Sequence, residues 1–134
     1  MKTIVFGESG FLGNYVADAL TDAGYDVVVF DCGESPYLGP DREMIVGSIL
    51  DKKIVEGAVK GCDVVYNFAG IADLDEAARR PVESVEVNIL GNTIVLEACR
   101  KIDGKRFVFA SSLYVYSKAG SFYRSTKNGW RSVN

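Results

Sequence analysis

The sequence predicts a doubly wound α/β fold: about five parallel strands in the order 3-2-1-4-5, with helices on both faces. Three observations predict it. Apolar runs of strand length alternate with helical patterns along the whole chain, which marks βαβ units rather than separate all-α and all-β parts. Some of the runs, above all Val27-Val28-Val29-Phe30, are continuously apolar, as strands covered on both faces must be. The first run, Thr3-Ile4-Val5-Phe6, leads straight into Gly7-Glu8-Ser9-Gly10-Phe11-Leu12-Gly13, so that strand, glycine turn and helix start follow one another. Such a turn aims free backbone N–H groups and the positive end of a helix at one point, a cradle for an anion.

Strand one is expected over Lys2 to Phe6, and a helix from about Gly10 to Ala23, where Leu12, Val16, Ala19, Leu20 and Ala23 keep helical spacing. Gly24 supplies its stop. Strand two is Asp26 to Phe30. A polar segment with Gly33, Pro36, Gly39 and Pro40 follows, then a short strand near Met44-Ile45-Val46. Asp51 is placed to cap a helix running to about Lys60. Strand four is Asp63 to Phe68; after a loop and a short helix, Pro81 opens a long helix to about Lys101. On a 100° wheel that helix carries two apolar stripes, one of Val85, Ile89, Leu96 and Cys99, the other of Val87, Leu90, Ile94 and Ala98, so both sides require cover. Strand five is Arg106 to Ala110, and a last helix begins near Ser121. The polar tail from Lys127 to Asn134 does not continue an amphipathic pattern and reads as a helix cut short.

Composition narrows the function. With 134 residues, 48% of them hydrophobic, residues 1–134 are expected to form one domain around one core. A formal charge of −3 and the absence of a basic tract give no pull toward nucleic acid or an anionic membrane. No apolar stretch has the length of a membrane span or a signal-peptide core, and Cys32, Cys62 and Cys99 are scattered, which fits reduced thiols in a cytoplasmic protein. The chain has no histidine, so a Ser-His-Asp triad, a Cys-His pair and a histidine-ligated metal are all excluded. Acid/base chemistry falls to Tyr, Lys, Asp, Glu or Cys.

Gly7, Gly10 and Gly13 have the spacing GxxGxxG between a strand and a helix, which reads as a dinucleotide-binding turn; a tight turn alone is the plainer alternative. Asp31 closes strand two, where a carboxylate can accept hydrogen bonds from both hydroxyls of an adenosine ribose. It would repel a 2′-phosphate and has no Arg or Lys directly behind it, which favours NAD over NADP. A loop Asp is the alternative.

Further residues carry a resemblance. Together with Gly7 to Gly13 and Asp31, the segment Asn67-Phe68-Ala69-Gly70, Asn88 in the long helix, and Ser111-Ser112-Leu113-Tyr114-Val115-Tyr116 after strand five make the chain similar to the extended short-chain dehydrogenase/reductases, in particular the NAD-dependent nucleotide-sugar epimerases and dehydratases. The resemblance implies a Rossmann-like fold with NAD held by Gly7, Gly10, Phe11, Leu12, Gly13, Asp31, Ser48, Ile49, Phe68, Ala69, Gly70, Asn88 and Lys127. It places Ser112 as the catalytic serine. The family's Tyr-x-x-x-Lys occurs twice, as Tyr114/Lys118 in the loop after strand five and as Tyr123/Lys127 in the last helix. Only in a helix do residues four apart share a face, so Tyr123 and Lys127 are the expected pair. An ammonium one turn away and a positive nicotinamide ring would favour the phenolate, making Tyr123 the base that takes a proton from a sugar hydroxyl, with Ser112 bonded to the same oxygen.

Departures from the family sharpen this. Ser48 stands where the family usually has an Asp reading adenine, and Leu113-Tyr114 supplies neither the Asp-Glu pair of the dehydratases nor the Glu of the decarboxylases. That favours epimerase or simple dehydrogenase chemistry. The resemblance covers only the N-terminal, cofactor-binding part of such enzymes, and the region that holds the sugar nucleotide is expected to be absent. The chain alone is therefore expected to turn over little, and to form a homodimer through helices 82–102 and 121–130. A non-catalytic NAD-binding module, or a fragment without its own function, are the competing readings.

Overall fold

The computed structural model describes residues 1–102, 106–112, 116 and 121–131. The strands are β1 (Lys2–Phe6), β2 (Asp26–Asp31), β3 (Glu43–Val46), β4 (Val64–Asn67) and β5 (Arg106–Phe109), and they form one sheet in the order β3-β2-β1-β4-β5. Every pairing is parallel, with Thr3 opposite both Val27 and Val64, and Phe6 opposite Phe30 and Asn67. The helices are α1 (Phe11–Asp22), α2 (Lys52–Val59), α3 (Leu74–Arg79), α4 (Pro81–Val85), α5 (Asn92–Lys101) and α6 (Ser121–Arg131), with a π-helical turn at Glu86–Gly91 joining α4 to α5. The expected strand order holds because β1 leads first to β2 and then, through β3, back across to β4; short right-handed crossovers leave little else.

Alternation along the strands divides the core in two. Ile4, Phe6, Val28, Phe30 and Val65 point to one face, where Val55 and Val59 of α2 and Ile94, Val95 and Ala98 of α5 cover them. Val5, Val27 and Val29 point to the other, against Ala17 of α1 and the half-buried Leu20. Asp51 caps α2 as expected, accepting bonds from the Lys53 and Ile54 N–H groups, and Gly24 ends α1 at φ +81°.

Two expectations about helix faces are corrected. On α1 the fully buried residues are Gly13 and Ala17, while Leu12 is 52% exposed and Ala19 and Ala23 face solvent. The helix lies so close to the glycine turn that its smallest residues, not its most apolar ones, define the contact. In the long helix the buried face is Ser84, Asn88, Gly91, Asn92, Val95, Ala98 and Cys99, joined by Ile94. Val85 and Leu90, each assigned to an apolar stripe, are exposed, and Ile89, Val87 and Leu96 are half-buried. Three residues of that buried face, Ser84, Asn88 and Asn92, are polar and hydrogen-bonded internally, so a reading based on hydrophobic spacing passes over them.

Asp51→Ala removes two N–H acceptors at the start of α2 and is expected to lower stability by about 1 kcal/mol. Urea unfolding followed by circular dichroism checks it, and an unchanged midpoint would show that the cap contributes nothing.

Candidate functional site

The site begins with two backbone approaches that only glycine permits. Gly7 has φ +80°, and a Cβ on it would lie 2.5 Å from the Ala69 nitrogen. A Cβ on Gly13 would lie 2.1 Å from the Gly7 carbonyl oxygen. The turn is thus pressed against the end of β4 on one side and the first turn of α1 on the other. The Gly7 N–H donates to Phe30 O at 2.9 Å, which ties the turn to β2 as well. Gly10 is the N-cap of α1, with no side-chain cap and no acidic residue in the first turn, so the helix's leading N–H groups are not met by its own side chains.

Asp31 stands at the end of β2 beside this turn. Its Oδ2 accepts from the Ser9 N–H at 2.9 Å and its Oδ1 from the Cys32 N–H at 2.7 Å, which fixes the carboxylate and leaves each oxygen a lone pair. A cleft of about 730 Å³ opens at this sheet edge, lined by Gly7, Ser9, Gly10, Asp31, Cys32, Ser48, Ile49 and the stretch Phe68–Gly70. Its outer wall comes from α3 and α4, where Arg80 is paired with both Glu76 and Glu83.

The catalytic candidates come from α6 and the segment after β5. Tyr123 and Lys127 are both buried on one face of α6. The Lys127 Nζ donates to Ala110 O at 3.3 Å and lies 4.8 Å from the centre of the Phe109 ring and 5.6 Å from that of Tyr123. A Cβ on Gly70 would be 3.8 Å from that Nζ and 2.8 Å from Asn88 Oδ1, so α6 and the π turn both abut the cleft wall at Gly70. Burial lowers the Lys127 ammonium from 10.5 to about 8. Ser112 is half-buried two residues beyond Ala110, whose carbonyl anchors Lys127. Tyr114 and Lys118, the competing pair, lie outside the described residues.

The remaining cofactor candidates divide. Gly7, Gly10, Asp31, Ser48, Phe68, Ala69 and Gly70 face the cleft. Ser48 Oγ accepts from the Leu50 N–H, and the Ile49 side chain packs into the core against Gly91, leaving mainly backbone at the cleft from that residue. Phe11 is 83% exposed against Tyr15, and neither it nor Leu12 is in the lining, so what these two can offer a ligand is the helix N-terminal backbone. Asn88 lies behind the wall: fully buried, it accepts from the Ile71 N–H at 2.8 Å and donates to Ile71 O and to Thr126 Oγ1, each at 3.1 Å.

Thr126 was not legible as a site residue. Its hydroxyl accepts from Asn88 and donates to Tyr123 O at 2.8 Å, linking the cleft wall to the turn of α6 that carries Tyr123 and Lys127. Its place between those two residues is the only hint in the sequence. Asn67 and Asn92 extend the same network, with Asn67 donating to Asn92 and Asn92 donating to Asn88 O at 2.9 Å. Among the described residues no group of three His, Cys, Asp or Glu could hold a metal, and no helix is long and apolar enough to cross a membrane.

A parallel sheet with a glycine turn after β1, an acid closing β2 and a Tyr/Lys pair on a helix after β5 defines a dinucleotide-binding α/β protein of the short-chain dehydrogenase type. Comparison with known proteins narrows the class. The chain belongs to the NAD-dependent epimerase/dehydratase family, whose model matches residues 3–129. It is 30% identical over 128 residues to a UDP-glucose 4-epimerase of Yersinia pestis, an alignment covering 87% of this chain and 38% of that protein. It is 32% identical over 123 residues to a UDP-N-acetyl-alpha-D-glucosaminuronate decarboxylase of Bacillus cytotoxicus, with the same coverage of 87% and 38%. The crystal structure of the Thermotoga maritima UDP-glucose 4-epimerase with UDP-glucose superposes with a TM-score of 0.91 at 25% identity, over 99% of this chain and 50% of that one. The chain thus spans half or less of these relatives. NAD is the cofactor of the family, and the turn, the fixed Asp31 carboxylate and the uncapped helix suit such a group.

The depressed Lys127 value has a consequence for stability. Between about 8 and 10.5 the unfolded chain binds the extra proton, so this residue makes the fold more stable as pH rises through that window. Cys62 and Cys99, whose thiols burial pushes up, the latter to about 11, act in the opposite direction. Comparing Lys127→Met with the parent isolates the lysine: the variant's advantage in urea midpoint is expected to be large near neutral pH and to shrink by about pH 10.

Proposed function

We propose that this chain is the cofactor-binding portion of an NAD-dependent nucleotide-sugar epimerase, with Ser112, Tyr123 and Lys127 as its acid/base group. The observation that carries the reading is that the glycine turn and α6 approach one wall of the cleft, Gly7 at Phe68 and Ala69 and the Lys127 Nζ at Gly70. The backbone of Gly7 to Gly13 would receive the diphosphate and Asp31 the adenosine ribose. When bound, NAD supplies a hydride acceptor and, after reduction, a hydride donor. Tyr123 would take the sugar hydroxyl proton as the hydride leaves the same carbon, and return it when the hydride comes back to the other face. Ser112 would donate a hydrogen bond to that oxygen. With its value near 8, Lys127 is mostly charged near neutrality yet can release a proton, which suits a group that favours the Tyr123 phenolate and refills it. Family likeness to a decarboxylase leaves the fate of the oxidised sugar to residues beyond this framework, but Leu113-Tyr114 offers no acid where the decarboxylases carry Glu.

Cys32 gives a direct readout of cofactor binding, because it is the exposed cysteine and it lines the cleft beside Asp31. NAD at ten times its dissociation constant is expected to slow alkylation of Cys32 by iodoacetamide about tenfold, as followed by peptide mass spectrometry, and Asp31→Ala to remove most of that protection. Unprotected Cys32 at millimolar NAD would overturn the cofactor assignment.

Catalysis is tested in the chain and in any longer protein that contains it, with UDP-glucose as substrate. Tyr123→Phe is expected to cut interconversion by roughly 10²-fold or more while Cys32 stays protected by NAD. Turnover unaffected by the substitution would remove Tyr123 as the base. NAD protection with no turnover in either protein would instead favour a non-catalytic NAD-binding module.

A further inference from the structure

The glycine turn contains an acidic residue that its phosphate-binding geometry does not call for. Glu8 follows Gly7, its side chain is fully buried, and neither carboxylate oxygen has a hydrogen-bond partner. Gly7, Ser9 and Gly10 line the cleft and Glu8 does not, so the carboxylate lies on the reverse side of the backbone that faces it. Facing Glu8 is Arg42, from the irregular segment that leads into β3. Its Nη1 is 3.6 Å from Glu8 Oε1, its Nη2 pairs with Asp18 of α1, and its side chain is 7% exposed. Gly39 makes room for the guanidinium, since a Cβ there would lie 3.2 Å from Nη2.

Burying an ionised carboxylate is costly unless a cation stands beside it, and here one cation serves two acids. The location makes this more than a matter of folding. An uncompensated negative charge behind the turn would act through a single layer of backbone on any anion in front of it, in surroundings that screen poorly.

We propose that Arg42 is a positioning residue for the cofactor's diphosphate: by neutralising Glu8 from behind, it keeps the Gly7–Gly13 turn receptive to an anion. The same bridge from Glu8 to Asp18 holds the segment between β2 and β3 against α1, next to Asp31. The inference rests on the NAD reading above and adds a residue that makes no contact with the cleft.

The test is a charge-rescue cycle in the full chain, with NAD affinity measured by calorimetry and by Cys32 protection. Arg42→Met is expected to weaken NAD binding about tenfold or more. Glu8→Gln removes the buried charge and is expected to tighten binding, and in the double variant E8Q/R42M it restores affinity to within about threefold of the parent. A role in packing alone predicts the opposite, a double variant that binds as poorly as R42M, and that result overturns the proposal. So does an R42M chain with parental affinity. Should R42M fail to fold, the comparison of E8Q/R42M with E8Q decides: near-equal affinities support charge compensation, and a tenfold gap overturns it. Absence of NAD binding by the unsubstituted chain would overturn the cofactor reading itself, before any variant is compared, and this inference with it.

Discussion

Everything at the cleft depends on how closely three backbones approach one another at Gly7, Gly13 and Ala69. Side chains at the two glycines would occupy the positions of the Ala69 nitrogen and the Gly7 carbonyl. Their absence lets β1, α1 and β4 converge, so Gly10 at the start of α1 and the wall Phe68–Gly70 border one space. The approach also explains why α1 touches the sheet through Gly13 and Ala17 rather than through a stripe of large apolar residues. A methyl group at position 13 would have to move the helix, and with it the anion cradle.

The second organising feature is polar. Asn67, Asn88, Asn92 and Thr126 are all at most 1% exposed, and their hydrogen bonds run from the end of β4 through the π turn to α6. Buried amides are costly unless satisfied, and a satisfied network specifies one arrangement more sharply than apolar contacts do. Here the arrangement it specifies is the height and rotation of α6 relative to Gly70. The π turn, a helix irregularity often found at functional sites, carries Asn88 at that junction. Through Asn88 it is tied to Ile71 and to Thr126 of α6.

Charge is distributed with similar economy. The described cleft lining includes Asp31, Glu76, Glu83 and Glu86 against one arginine, Arg80, which is already engaged by Glu76 and Glu83. Among the described lining residues, an anionic ligand must then rely on oriented backbone dipoles and on the absence of uncompensated acids nearby. That dependence gives the Glu8–Arg42 pair its importance. Lys127 itself is held where desolvation disfavours its charge.

Much of this architecture was legible in the residues alone. Strand positions, the order 3-2-1-4-5, the Asp51 cap and the Gly24 stop follow from local patterns: continuous apolar runs, turn residues, and the handedness of crossovers. The glycine turn, Asp31 and the Tyr123/Lys127 spacing are short-range signals of the same kind; the turn and Asp31 line one cleft, and Lys127 lies behind its wall at Gly70. What only the tertiary structure decided involves partners far apart in sequence. Asn88 is buried because Ile71 and Thr126 meet it, and Glu8 because Arg42, thirty-four positions later, reaches beneath the turn. Hydrophobic periodicity detects the faces that water rejects. It cannot detect a polar face whose partners lie on another element, because the hydrogen bonds that make its burial tolerable exist only once those elements are packed.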